Sequence, residues 1–465
     1  MAPHGYERSL VAPGLRANAS QEASLAEGNL NMSGAESRLR SLKQLLADIH
    51  RRLELGFGFQ LWDGSTIPEG WPKDELALAI ADEGAIAGLM RAPNVTSLAN
   101  LWAAGRLDLK NGTLFDLVAR RPRGRTRDLR KSLASFAALR ALAPFLLLPR
   151  GDPWPLERVG RDGESDGSEA ENTRNIAYHY DVSNAFYRLW LDEEMVYTCA
   201  YFHAWSDDLD TAQRQKLDMV CRKLRLKAGD TMLDIGSGWG SLACHAAKYF
   251  GARVTGATLS EGQIAVAREK AHRLGLDDRV TFEQRDYALI EGDARFDTIT
   301  SVGMFEHVGL SNFEIYFKTV HRLLRPGGLY LHHAITRPGG SHTARTGKKR
   351  PEFQALTRYI FPGGELDYLG RTITNLELHG FEIRDVECWR DHYQRTCRFW
   401  HDRLRARFDE AVATVGETTA RVWLAYLAAS SITFERNSAG VYQTLAMKRV
   451  RGPSGLPPTR TDWYQ

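Results

Sequence analysis

A single carboxylate, Glu306, sits in the segment SVGMFEHVG (Ser301 to Gly309), just past a β-rich run, Phe296 to Val302 (FDTITSV). Open α/β sheets bind ligands at the carboxyl ends of their strands, so an acid there faces a reaction centre and could hold or move a proton. The same residues also fit a helix N-terminus, where the macrodipole alone favours an acid. A second stretch with chemical potential lies upstream, Met232 to Gly240 (MLDIGSGWG): a short apolar strand ending in Asp234, then glycines 236, 238 and 240. Glycines at that spacing let the backbone turn tightly and leave amide N–H groups open to a ligand at the start of a helix, Ser241 to Phe250. The G-x-G-x-G spacing differs from the G-x-G-x-x-G dinucleotide fingerprint.

The elements that must position these residues follow in order. A strand is expected at Arg253 to Ala257, then Thr258 to Gln263 (TLSEGQ), a helix from Ile264 to Leu274 and a strand from Val280 to Gln284. Asp286 and Tyr287 close that strand with a polar group and an aromatic face on which an adenine could lie. Strand–helix alternation of this kind implies an α/β fold, a parallel, doubly wound sheet.

In that setting the glycine turn resembles the signature of the class I S-adenosylmethionine (SAM) methyltransferases, which have a Rossmann-like sheet. The resemblance implies SAM as co-substrate. Its methionine part would lie at Asp234, Gly236 and Gly238, with Gly240 at the helix start and Tyr197 and Thr198 also in contact. Thr258, Leu259, Ser260 and Gln263 would hold the ribose, and Asp286 and Tyr287 the adenine. An NAD-binding domain fits less well, because Thr258, Ser260 and Gln263 stand where its ribose-binding acid belongs.

Segments outside this generic core narrow the family. HYDVSNAFYRLWLD (His179 to Asp192), MVYTCAYF (Met195 to Phe202), SVGMFEHVG, LHHAI (Leu331 to Ile335), RYIFPGGEL (Arg358 to Leu366) and HYQRTCRFW (His392 to Trp400) occur in one order over residues 174 to 450. Together they resemble the cyclopropane-fatty-acyl-phospholipid and mycolic-acid cyclopropane synthases. That resemblance implies a bicarbonate ion bound by Cys199 (largely through backbone), Glu306, His333 and Tyr393, with the backbone near Ile335. Bicarbonate would take a proton from the transferred methyl group, and an apolar, aromatic pocket would orient the alkene. Each residue also has a plain structural reading. Phe186, Tyr187 and Trp190 recur at helical spacing as core residues do, Cys199 suits a buried small hydrophobe, and Tyr393 suits a buried tyrosine with a satisfied hydroxyl. His332 and His333 must face opposite sides of a strand, and alignment to the family's L-H-T-I pattern selects His333. Ser237 replaces a common Cys, and Val182 and Ser183 replace a small-Gly pair after HYD.

A length of 465 residues and a 43% hydrophobic content suit two globular domains. Five cysteines, at 199, 221, 244, 388 and 397, show no metal spacing and suit a reduced, cytoplasmic setting. A net charge of +4 is too small to argue for nucleic acid. No apolar run spans a bilayer, and the first forty residues lack a signal-peptide core. Residues 1–37 read as disordered, 38–150 as an N-terminal domain resembling the lipid-binding and dimerisation domain of the longer cyclopropane synthases, and 151–173 as a linker. The catalytic domain is expected over 174–450, followed by a tail over 451–465. The N-terminal domain favours a membrane phospholipid over a mycolate and suggests a homodimer. The basic stretch Arg120 to Lys131, with the apolar-leaning Ser132 to Pro149 and GKKR at 347–350, suits peripheral contact with the inner face of a membrane. Three functions stand open: ring closure across a cis double bond, methyl- or methylene-branching of the same acyl chain, and a lipid-binding paralogue without activity.

Overall fold

The structure is a computed structural model and describes residues 17–120, 136–149, 183–340, 360 and 364–464. The linker at 151–173, nearly all of the basic stretch, GKKR, the HYD triplet with Val182 and much of the RYIFPGG motif lie outside the described residues. By their contacts the residues form two units, Met1–Pro93 with Arg106–Asp152, and Asn94–Gly105 with Pro153–Gln465.

In the first unit α1 (Ala17–Leu53) precedes a small sheet of β1 (Gly58–Gln60), β2 (Thr66–Ile67), β3 (Ala77–Ile80) and β4 (Leu107–Lys110), ordered β2-β1-β3-β4. Residues 17–37, expected to be disordered, form the first part of α1. The Ala, Glu, Gln and Leu that make residues 17–37 look uncommitted are also strong helix formers, and polarity does not oppose a helix. Helix α2 (Glu83–Arg91) is capped by Asp82, which accepts from Ala85 N at 2.9 Å and pairs with Arg106. Helix α4 (Leu114–Ala119) starts with a capping box made by Thr113 and Asp116. The helix between them, α3 (Val95–Ala103), belongs to the second unit, a membership its composition does not reveal. There Trp102 Nε1 donates to the Arg421 carbonyl at 2.8 Å, and Arg421 Nε returns a bond to the Trp102 carbonyl at 2.7 Å. Helix α5 (Phe136–Leu142) completes the first unit.

The second unit opens with α6 (Asn184–Arg188) and α7 (Leu209–Lys223), then winds β5 (Thr231–Ile235), α8 (Ser241–Phe250), β6 (Arg253–Thr258), α9 (Glu261–Arg273), β7 (Val280–Gln284), β8 (Phe296–Val302), α10 (Phe313–Leu323) and β9 (Leu324–Thr336). It ends with α11 (Leu369–Leu378), β10 (Phe381–Cys388), α12 (Arg390–Ala406), α13 (Phe408–Val415), α14 (Glu417–Glu435) and β11 (Gly440–Lys448). The sheet runs β10-β11-β9-β8-β5-β6-β7, with β5 to β9 parallel and β10 and β11 antiparallel additions. The expected doubly wound α/β sheet is therefore present. Helix α9 starts three residues before Ile264 because Ser260 caps it, accepting from Gln263 N at 3.3 Å, so TLSEGQ is strand end, cap and first turn in succession.

Alternation along β9 divides the core. Leu329 and Leu331 pack on one face of the sheet, Tyr330 and Ala334 on the other. A third cluster is strongly aromatic: Phe186, Tyr187, Trp190, Trp239, Trp400, Trp423 and Phe434 are all buried together. Each such side chain contributes roughly 1.5–3 kcal/mol by leaving water. The aromatic spacing read as core is core.

Candidate active site

Glu306 lies in a 3-10 turn, Phe305–His307, directly after β8; the next α-helix, α10, begins only at Phe313. A turn of three residues has little macrodipole, so helix-start electrostatics do not account for the acid. The turn is pinned from outside, since Glu365 N donates to the Glu306 carbonyl at 3.0 Å and the Glu365 carboxylate accepts from Leu310 N at 2.8 Å. Glu306 Oε1 accepts from Ile335 N at 2.6 Å, while Oε2 is buried with no hydrogen-bond partner among the described residues. Burial pushes this carboxyl up to about 7, against the opposing pull of the Ile335 N–H. Near neutrality it is poised between acid and base.

Strand β9 supplies Ile335 and, two residues earlier, His333, which is 2% exposed. Burial above all, then the charges of Lys216 and Lys223 and the neighbouring His332, hold the imidazole well below its ordinary range, so it is neutral. Its ring meets Trp389 edge-on at 5.3 Å, and its Nδ1 has no hydrogen-bond partner among the described residues. His332 turns to the opposite face, where its Nδ1 lies 2.9 Å from the Tyr330 hydroxyl and its ring packs on Phe305. The expected division of the pair holds.

Helix α12 brings Tyr393, stacked on Phe434 at 4.6 Å. Burial raises its phenol far above the usual range, helped by Cys397, Tyr426, Cys199 and Glu306, which places Tyr393 within electrostatic reach of two other predicted residues. Cys199 is fully buried, and its Sγ donates to the carbonyls of Ala200 at 3.3 Å and Trp389 at 3.7 Å. Burial keeps that thiol protonated, so it is no nucleophile. Trp389 thus touches both Cys199 and His333. Glu306, His333, Ile335, Tyr393 and Cys199 come together from four separate parts of the chain.

Beside them is a cleft at the carboxyl ends of β5, β6 and β8. Tyr197, Thr198, Asp234, Gly236, Gly238, Thr258, Leu259, Gln263, Asp286 and Tyr287 all line it. Asp234 accepts from Thr300 Oγ1 at 2.8 Å, and burial lifts it to about 6. Ser237 also lines the cleft, and its buried hydroxyl has no hydrogen-bond partner among the described residues. Gly238, at φ +52°, has nothing within 4 Å on the side where a Cβ would project.

The family of mycolic acid cyclopropane synthetases matches residues 167–444. The chain belongs to that family. A probable fatty acid methyltransferase of Pseudomonas putida is 36% identical over 428 residues, covering 92% of this chain and 100% of that protein. The cyclopropane-fatty-acyl-phospholipid synthase of Escherichia coli K12 is 35% identical over 275 residues, covering 58% of this chain and 67% of that one. Among solved structures, mycolic acid cyclopropane synthase CmaA1 complexed with SAH and CTAB is 29% identical with TM-score 0.56, over 59% of this chain and 98% of that chain. This mycolic acid cyclopropane synthetase family member is a SAM-dependent methyltransferase, and its cleft fits SAM by the open face of Gly238 and the unmet polar group of Ser237.

Two residues expected to touch SAM do not line the cleft. Gly240 serves packing, since a Cβ there would stand 2.6 Å from Phe282 Cζ, and Ser260 caps α9. Ser183, which replaces a family glycine, adopts φ +111° and N-caps α6 through Phe186 N, so a strained backbone stands where glycine would be relaxed. Sequence reasoning missed Lys216, Arg285, Met304 and His307, which also line the cleft. Met304 and His307 flank Glu306 in its own motif, a signal available in the sequence. Lys216 lies on a helix whose charged composition reads as a solvated face.

Proposed function

We propose that the protein transfers a one-carbon unit from SAM to the cis double bond of an unsaturated acyl chain in a membrane phospholipid and closes a cyclopropane ring. The observation that carries this reading is the pair of buried atoms, Glu306 Oε2 and His333 Nδ1, that have no hydrogen-bond partner among the described residues and are set in an otherwise apolar and aromatic wall. An alkene needs no deprotonation to attack a sulfonium methyl, so the aromatic cluster has only to orient it and exclude water. Attack leaves a carbocation on the acyl chain, which the ring faces of Tyr393, Trp400 and Phe434 stabilise without bonding to it. Ring closure then requires loss of one proton from the transferred methyl. A bicarbonate held by Glu306, His333, Tyr393 and the backbone at Cys199 and Ile335 would supply the base, and the two unmet polar atoms fit such an ion. Protonated, Glu306 would donate to an anion, and a carboxyl raised to about 7 is partly protonated near neutral pH.

A second reading, methyl- or methylene-branching, is favoured by the full-length similarity to the Pseudomonas putida relative. Purified protein incubated with SAM and unsaturated phospholipid vesicles separates the two. When the carbocation loses a proton both products gain one CH₂, but only the branched product keeps a double bond that takes up hydrogen under mild catalytic hydrogenation; a saturated methyl branch requires a hydride donor added to the assay. Unchanged fatty acids would refute both.

The same proposal has the protein working as a peripheral protein at the cytoplasmic face of the membrane. Leu139 and Leu147 are 58% and 89% exposed beside the basic stretch, and no described helix is long and apolar enough to cross a bilayer. Vesicle flotation at low and high salt tests the contact, and sedimentation tests a homodimer.

A further inference from the structure

Helix α7 carries Gln213 and Lys216 one turn apart, both buried, although nothing in the cleft's recognised motifs involves them. Both reach the segment that presents Tyr197, Thr198 and Cys199. Gln213 Nε2 donates to the Val196 carbonyl at 3.2 Å and the Thr198 carbonyl at 2.9 Å. Lys216 Nζ donates to Thr198 Oγ1 at 2.9 Å. The opposite side of Thr198 is fixed as well, because its Cγ2 would stand 2.7 Å from a Cβ on Gly303.

Lys216 is 2% exposed and lines the cleft together with Asp234, Gly236, Ser237 and Gly238. An ammonium has three donors, and Thr198 uses one. Two buried carboxylates, Asp192 and Asp234, face this ammonium from within the protein, and on its cleft side the one negative group that SAM carries is the complementary partner.

We propose that Lys216 is the recognition residue for the α-carboxylate of SAM, with Gln213 as a positioning residue that sets the height of Thr198 beside it. The inference rests on the cleft being the SAM site and adds the polarity of the ligand within it: carboxylate toward α7, ammonium toward Asp234. Asp192, Cys199, Asp234 and Cys221 face the ammonium, and His245 and His333 lie within its electrostatic reach. Burial lowers Lys216 to about 8, so it is charged at neutral pH and loses charge just above it.

The test uses two probes, S-adenosylhomocysteine (SAH) and its decarboxylated amine, titrated calorimetrically into the full-length protein. Wild type binds SAH more tightly, and Lys216→Met weakens SAH on the order of 10-fold to 100-fold, as for a lost charged hydrogen bond, while leaving the amine unchanged or tighter. Equal loss for both probes, or loss for neither, overturns the assignment. Lys216→Gln, which keeps a donor for Thr198, gives the same discrimination if the methionine variant does not fold. In wild type the ratio of the two affinities, each corrected for the titration of the ligand's own amine, falls as pH rises through 8, because the lysine contact then differs. A ratio independent of pH also refutes the proposal. Failure of wild type to bind SAH at all would instead refute the cleft as the SAM site.

Discussion

Glu306→Gln separates the two things this residue does. Moving a carboxyl from 4.5 to about 7 means that burial penalises its ionised form by about 3 kcal/mol. A carboxyl raised on folding lends its stability below pH 4.5 and withdraws it as pH climbs through 7. Glutamine keeps an oxygen for the Ile335 N–H and never ionises. The variant should therefore gain on wild type by about 2–3 kcal/mol between pH 5 and pH 8. Asp234 and Asp192, both lifted to about 6 by burial, titrate in the same window but are common to both proteins and cancel in the difference. Urea unfolding at four pH values, followed by tryptophan fluorescence, reads the effect. The same variant should bind SAH as wild type does, because Glu306 does not line the cleft, yet make little product. A stability difference that is flat from pH 5 to 8 would refute the buried-carboxyl argument, and wild-type turnover would refute the catalytic one.

Other expectations follow from single positions. Gly238→Val puts a branched side chain at φ +52° into the space the ligand needs, so the heat of SAH binding should vanish; retained affinity would contradict the cleft assignment. Gly240→Ala meets Phe282 at 2.6 Å with φ +78°, and should cost about 2 kcal/mol or more in unfolding measurements while folded protein still binds SAH. Cys199→Ala removes a buried thiol whose partners are the Ala200 and Trp389 carbonyls and the Thr396 side chain. It should lower stability by about 1 kcal/mol and leave turnover within about threefold, whereas a loss beyond tenfold would show that the sulfur itself takes part.

The parts of the fold governed by local pattern are legible in the sequence. Phe296–Val302 and Val280–Gln284 are bounded β-branched runs and Ser241–Phe250 follows a glycine turn, and all three appear at those limits. Long-range effects are not legible in this way. Nothing in TLSEGQ distinguishes a loop from a helix cap until Ser260 finds Gln263 N, and nothing in Asn94–Gly105 announces Arg421. Within the site, Glu306, His333 and Tyr393 are singled out in the sequence by the family resemblance of the motifs that carry them. The buried lysine and the bracing by Glu365 are not, since a charged side chain in sequence gives no sign of the cavity it enters.

The strand order has one more consequence. β11 comes after β10 in the chain yet lies between β10 and β9, pairing Gln443 with His333 and Val441 with Ile335. As the polypeptide leaves the ribosome, β9 must wait with one edge open, and β10 has no neighbour, until about residue 448 has emerged. Pairing over such sequence separation is slow, so the glycine turn and its parallel strands can form while the histidine wall is still incomplete. Cofactor-binding architecture thus precedes the proton-handling architecture in time, and a chain cut before Gly440 should keep the first without acquiring the second.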